Sequence, residues 1–297
     1  MSEVIRWAGA AVRRLREFAY RPSADRPRVG LALGGGFARG IAHIGVLRVL
    51  VEQGIPIDCI AGTSVGALIG CAHASGTSLD EMQRQGAQTR FRDFGRWTVS
   101  RMGMATNDRL EDLLHRLATV KYFEELNVPF CIVATDLVKG ESVEFTEGEI
   151  VPALRASCAY PGLFLPIEYK GYVLVDGFLT APVPTEALRR MGAEVVIAVH
   201  LEPGMLKDKP RNTIEVIARS FSIIQGNAEL PWRHAADVII EPEVHQFLWD
   251  DFSKTPELVA AGETATRAAI PQIKAAIARC SPAPERERGT VRYEEQL

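Results

Sequence analysis

The chain has 297 residues, 47% hydrophobic and 24% charged, the balance of a globular protein long enough to bury a sizeable core in one large domain or two small ones. Its 34 basic residues stand against 37 acidic ones for a net charge of -3, which gives no whole-molecule support for nucleic-acid binding. Five cysteines, odd in number and scattered through apolar segments, argue for reduced thiols in a cytoplasmic compartment, and with no CxxC or HxxE pair nothing calls for a metal or another cofactor.

No apolar run reaches the roughly 18 residues needed to cross a bilayer, and no signal-peptide stretch opens the chain. Residues 3–20 place Val4, Ala8, Ala11, Leu15 and Phe18 on one helical stripe, with Arg6, Arg13, Arg14 and Arg16 adding positive charge. Such a helix fits peripheral contact with the inner face of a membrane, and equally well packing on its own domain or on a partner subunit. The Pro- and charge-rich stretch 21–27 reads as a linker, so residues 1–27 are expected to stand apart from a single domain over 28–280.

Val29 to Leu33 form an apolar run ending in Gly34-Gly35-Gly36, followed by helical spacing over 39–53 that Gly54 closes. A second strand over 57–61 enters Gly62-Thr63-Ser64-Val65-Gly66, and a helix continues towards Ala74. Two successive strand-turn-helix units imply parallel strands. Residues 76–107 are polar, weakly periodic and dotted with aromatics, which predicts a lid-like or loosely helical insertion. Further strands are expected at 130–135, 172–175, 195–199 and 238–240, between helices near 108–118, 149–157, 184–191 and 213–229. An Ala-rich helix over 256–279 ends the domain, and the Pro-, Glu- and Arg-rich residues 281–297 form a tail expected to be disordered. The fold class is α/β, three layers with a mostly parallel central sheet flanked by helices.

Gly62-x-Ser64-x-Gly66 between a buried strand and a helix has the form of a nucleophile elbow, which lifts a serine hydroxyl to a helix N-terminus. The Gly34-Gly35-Gly36 turn has three competing roles. A dinucleotide site fails because Arg39 or Phe37 falls where a glycine is needed, and a P-loop fails because Ile41 and Ala42 follow Gly40 where Lys and Ser/Thr belong. The third role gives the backbone N–H groups of Gly35, Gly36 and Phe37 to an oxyanion formed at Ser64. Among acids at predicted strand ends, Asp176 stands first, followed by Gly177 in a turn, where a turn aspartate bonded to its own backbone competes; Asp136 stands second, with no glycine directly after it, and a helix-capping or structural hydrogen-bonding role would account for it. His43 falls inside the first helix among apolar residues, where a core histidine bonded to backbone groups is the better assignment, and the other histidines sit in no comparable turn.

These pieces together resemble the patatin-like phospholipase family: Gly34-Gly35-Gly36-Phe37-Ala38-Arg39-Gly40, Ala42-His43-Ile44-Gly45, Gly62-Thr63-Ser64-Val65-Gly66 and Asp176-Gly177. Arg155-Ala156-Ser157 through Phe164-Leu165-Pro166 extends the likeness, as does Ala181-Pro182-Val183-Pro184, where such proteins often have Asn first. Phe37 fills a position that is often glycine or alanine. The resemblance spans about residues 29–279 and is closest to bacterial members. It implies a dyad of Ser64 and Asp176 without histidine, an oxyanion hole in the glycine-rich loop, and acyl-enzyme hydrolysis of phospholipid or lysophospholipid esters. Aspartate in water is a weak base, so the site must desolvate Asp176 or move the proton late. Arg39 is a candidate for attracting a lipid phosphate, with an ordinary ion-pair role equally open. A binding or regulatory protein on the same fold is the alternative from another class; a nucleotide-binding module is disfavoured by the failed glycine spacings.

Overall fold

Short apolar runs that no water-exposed strand would tolerate become the centre of a sheet covered on both faces. Every residue of β1 (Val29–Leu33), β2 (Cys59–Thr63), β5 (Phe130–Asp136) and β10 (Val195–Val199) is buried. The computed structural model describes residues 26–98, 100–118, 120–202, 209–210, 213–227 and 231–281. The amphipathic segment at 3–20 and the tail from 282 onwards lie outside them.

The remaining strands are β3 (Arg96–Trp97), β4 (Gly103–Thr106), β6 (Glu141–Phe145), β7 (Gly162–Phe164), β8 (Ile167–Tyr169), β9 (Tyr172–Asp176) and β11 (Val238–Ile240). The helices are α1 (Ala42–Glu52), α2 (Val65–Ala74), α3 (Leu79–Gln88), α4 (Leu110–Leu117), α5 (Ile150–Ser157), α6 (Thr185–Arg190), α7 (Thr213–Asn227), α8 (Pro231–Ala235) and α9 (Thr255–Cys280). The main sheet runs β11-β10-β1-β2-β5-β9-β8, with β6 also paired to β5. Pairings from β11 to β5 are parallel, and β6, β8 and β9 join antiparallel.

Alternate side chains divide the core. Leu31, Leu33, Ile60, Ile132 and Ile197 face a large cluster shared with residues of α1, α2, α4, α5 and α9. Ala32, Cys59, Ala61, Cys131 and Ala198 face the other way, towards Ala187 and Leu188 of α6 and Trp232 of α8. The result is the expected three-layer α/β architecture.

One register decides the site. The edge of β5 pairs first with β2, ending at Thr63 opposite Val133, and then with β9, beginning with Asp176 opposite Ala134. β6 pairs with Ile132 through Asp136, on the opposite edge of β5. The C-terminal ends of β2 and β9 therefore meet head-on at consecutive residues of a third strand. Whatever follows Thr63 must face whatever ends β9.

Several boundaries differ from expectation. β2 starts at Cys59 rather than 57; just before it the Asp58 N–H donates to the Val29 carbonyl at 2.8 Å, while the Asp58 carboxylate accepts from the Val29 N–H at 2.7 Å and pairs with Arg26 at 2.6 Å. The first helix begins with a 3₁₀ turn, Phe37–Ile41, before α1. The stretch 76–107 is more ordered than its composition suggests: it contains α3, capped by the Ser78 side chain, and the β3–β4 pair, with β4 joining β7 in a second sheet. Among the described residues no helix is long and apolar enough to cross a membrane.

Candidate active site

β2 ends at Thr63 and α2 begins at Val65, so Ser64 alone makes the turn, at φ 56° and ψ -125°. A side chain rarely adopts such a φ, and its neighbours hold it there. The Ser64 N–H donates to Ser157 Oγ at 2.9 Å, while Ser157 itself donates to the Val133 carbonyl at 2.6 Å. Gly66 is required by close approach: a Cβ there would lie 2.1 Å from the Leu33 carbonyl oxygen. The hydroxyl is thereby held at the N-terminus of α2, where unpaired N–H groups favour negative charge.

From the other side of the junction, Ser64 Oγ donates to Asp176 Oδ2 at 2.7 Å. The second carboxylate oxygen, Oδ1, accepts from the Phe178 N–H at 2.9 Å. Gly177 permits this turn, since a Cβ on it would stand 2.3 Å from the Val133 carbonyl oxygen. Asp176 is only 1% exposed. Burial raises its pKa from 3.8 to about 7, against the opposing pull of the bonds from Phe178 and Ser64. The carboxylate has the proton affinity that a base near neutral pH needs.

The glycine turn lies across the cleft from Asp176. The Gly34 N–H donates to the Val199 carbonyl at 3.1 Å and the Gly35 N–H to the Pro182 carbonyl at 3.2 Å. Of the three expected oxyanion donors, the Gly35 amide is therefore engaged by the backbone, whereas those of Gly36 and Phe37 have no partner among the described residues. Gly35 still matters through what it lacks: a Cβ on it would sit 3.5 Å from Ser64 Cβ. His43 is fully buried, with Nε2 2.8 Å from the Gly34 carbonyl oxygen, so this nitrogen carries the proton. Burial lowers its pKa to about 4, and it makes no hydrogen bond to Ser64. It anchors the glycine turn from beneath.

The patatin-like phospholipase family model matches residues 31–189, more than half of the chain and both halves of this junction. The chain belongs to the patatin-like phospholipase family. It is 39% identical over 203 residues to an uncharacterised NTE family protein of Mycobacterium tuberculosis, covering 66% of this chain and 56% of that relative. The human patatin-like phospholipase domain-containing protein 6 is 32% identical over 184 residues, which cover 58% of this chain and 13% of that protein. The solved structure of VipD from Legionella pneumophila is 15% identical with a TM-score of 0.49, covering 84% of this chain and 67% of the other. The patatin-like chain thus spans little more than half the length of its Mycobacterium relative.

In this patatin-like site the Ser64 cleft is walled by Phe37, Tyr160, Phe178, Leu201 and Trp249. The Phe37 ring packs edge-on against Tyr160 and Trp249, at centroid distances of 5.2 and 5.0 Å. Arg39 lines the same cleft while only 6% exposed; its Nε donates to the Phe247 carbonyl at 3.0 Å. Burial lowers its pKa, the sign of a cation short of solvent. The second-ranked acid, Asp136, caps a turn by accepting from the Val138 N–H at 3.0 Å and takes no part in the cleft.

Sequence reasoning missed Ser157 as the acceptor for the Ser64 amide. Arg155-Ala156-Ser157 carries part of the family likeness, yet the hydroxyl's target follows only from how α5 lies on β5. Among the described residues no cluster of three His, Cys, Asp or Glu side chains is placed to hold a metal ion.

Proposed function

We propose that this patatin-like chain is a serine acyl hydrolase of lipid esters, with Ser64 as nucleophile and Asp176 as its proton acceptor. The observation that carries this reading is the 2.7 Å hydrogen bond from Ser64 Oγ to a fully desolvated carboxylate with pKa near 7. As Oγ attacks the acyl carbonyl carbon, its proton passes to Asp176 Oδ2. Negative charge grows on the carbonyl oxygen beside the free N–H groups of Gly36 and Phe37 and the N-terminus of α2. Collapse of the tetrahedral species breaks the ester bond, and Asp176 returns its proton to the departing alcohol oxygen. Water then adds to the acyl-Ser64 carbonyl with Asp176 again accepting a proton, and the fatty acid leaves as Ser64 recovers its hydrogen.

A phospholipid or lysophospholipid suits the cleft, because aromatic walls accommodate an acyl chain and Arg39 supplies a cation for the head-group phosphate. The five unpaired cysteines fit a reducing, cytoplasmic setting. Residues 1–27 and the tail are proposed as appendages to the acyl hydrolase domain.

The test is release of fatty acid from mixed phospholipid and lysophospholipid micelles by wild type, Ser64→Ala and Asp176→Asn. Loss of turnover in both variants, with wild type labelled at Ser64 by a fluorophosphonate, supports the reading. Full turnover in either variant refutes the dyad, and an unlabelled, inactive wild type favours a binding protein.

A further inference from the structure

The stretch around the β3–β4 hairpin differs in charge from the molecule that carries it. Residues 90–109 hold five arginines against two aspartates, a local charge of +3 in a chain whose net charge is -3. Among the described residues only Arg96 of these arginines pairs with a carboxylate, that of Asp108 at 3.1 Å. Arg90 and Arg109 donate to backbone carbonyls, and the exposed side chains of Arg92 and Arg101 make no hydrogen bond or ion pair among the described residues. Arg84, Arg190, Arg233 and Arg267, also exposed, each hold a glutamate instead. The hairpin therefore turns positive charge outward that the protein neutralises at those other sites.

The same hairpin exposes apolar side chains. Trp97 is 69% exposed and Met102 61%, one on each side of the turn, and Trp97 is the most exposed aromatic among the described residues. Neither belongs to an unformed loop: Trp97 pairs with Ala105 across the hairpin, and the Thr98 N–H donates to the Met104 carbonyl at 2.9 Å. Arginine alone would suit any polyanion. An indole, with a large apolar ring and one polar N–H, belongs at the boundary between hydrocarbon and water, and a guanidinium beside it matches a head-group phosphate. Behind the turn, β4 pairs with β7, and Ala105 lies in the cluster of Tyr160, Leu163 and Phe164, against which Phe37 and Phe178 of the Ser64 cleft pack. The hairpin is rooted in the aromatic wall of the cleft.

From these unpaired arginines and the exposed indole on one formed hairpin, we infer that the β3–β4 hairpin docks the protein on an anionic lipid surface. Arg92 and Arg101 meet head-group phosphates, while Trp97 and Met102 enter the boundary of the acyl layer. This deepens the acyl hydrolase reading and rests on it for the use that the contact serves; the charge and the indole identify the occupant.

The test uses the full chain and two kinds of vesicle, phosphatidylcholine mixed with phosphatidylglycerol and phosphatidylcholine alone. Residues 3–20 are present in every protein compared, so differences between variants report the hairpin. Wild type is expected to co-sediment with the mixed vesicles far more than with the neutral ones, and to release them as salt is raised. Arg92→Gln with Arg101→Gln lowers affinity for the mixed vesicles about thirtyfold, roughly fivefold for each charge. Trp97→Gln lowers it as well. Arg84→Gln with Arg267→Gln, an equal change in charge at two ion-paired sites, stays at wild-type level. Turnover of dissolved p-nitrophenyl butyrate and the melting temperature are unchanged in the Arg92 and Arg101 double variant. Undiminished binding by that variant overturns the proposal, as does equal binding of wild type to the two kinds of vesicle. A loss with the arginine pair but none with Trp97→Gln also overturns it, since the hairpin then attracts polyanions in general. A wild type that hydrolyses the dissolved ester but ignores both vesicles removes the docking surface and leaves the hydrolase. Mixed-vesicle binding lost on substitution, with no ester turned over by wild type, keeps the surface and removes the hydrolase.

Discussion

Asp176→Asn is expected to abolish turnover and stabilise the protein at the same time. The carboxyl's folded pKa, about 7, lies above its ordinary value of 3.8, so the folded state binds the proton more tightly than the unfolded chain does. Stability from this group is complete at pH values below 3.8 and is lost as pH rises through 7. A shift of this size corresponds to about 4 kcal/mol of strain from the ionised carboxylate at about pH 8, falling below about 1 kcal/mol near pH 4. An asparagine amide is neutral throughout. Its oxygen can accept from the Phe178 N–H and its NH₂ can donate to Ser64 Oγ, so the local bonds survive. The variant should therefore melt roughly 10 °C higher than wild type at about pH 8, with the gap closing towards pH 4. Urea unfolding of both proteins across this range measures the difference, with Ser64→Ala as a second reference. A variant no more stable than wild type in alkali, or a gap that ignores pH, would contradict the claim that Asp176 is held desolvated.

Three further outcomes follow from the same geometry. In wild type, kcat/KM on a dissolved ester should rise with pH through about 7 as Asp176 ionises, and a profile flat across that range excludes it as the base. Ser157→Ala leaves the Ser64 N–H and the Val133 carbonyl without their hydroxyl partner, for a loss of about 2 kcal/mol in urea unfolding and a fall in kcat larger than any change in KM. Gly66→Ala should give no folded protein, because its Cβ meets the Leu33 carbonyl at 2.1 Å, whereas Gly86→Ala, in α3 with its Cβ no nearer than 3.6 Å to a neighbour, should stabilise by up to about 1 kcal/mol. Soluble expression and thermal melts of the two glycine variants separate these cases.

How much of this was legible in the chain depends on how each element is buried. β1, β5 and β10 lie in the sheet's interior, so their apolar runs announce them at almost their observed ends. β6 is Glu141–Phe145, with Glu141 and Ser142 exposed, and no apolar run marks it. α3 buries Met82 alone, which leaves no stripe to read, and β3 has only two residues. Ser64 and Asp176 were legible because each sits beside glycines that a sharp turn demands. Their meeting was implied only by the family resemblance and not by the residue patterns themselves, since it depends on β2 and β9 ending at adjacent residues of β5, a register set by three-dimensional packing. The Gly35 amide shows the same limit: its residue type suits an oxyanion loop, and only the fold reveals that the Pro182 carbonyl already holds it.

Mass spectrometry of protein quenched in acid during turnover of an ester tests the central claim most directly. A peptide containing Ser64 is expected to be heavier by one acyl group in wild type, and the heavier form to be missing from Ser64→Ala and Asp176→Asn. Steady ester hydrolysis with position 64 never acylated, or with the acyl group on another side chain, would contradict it.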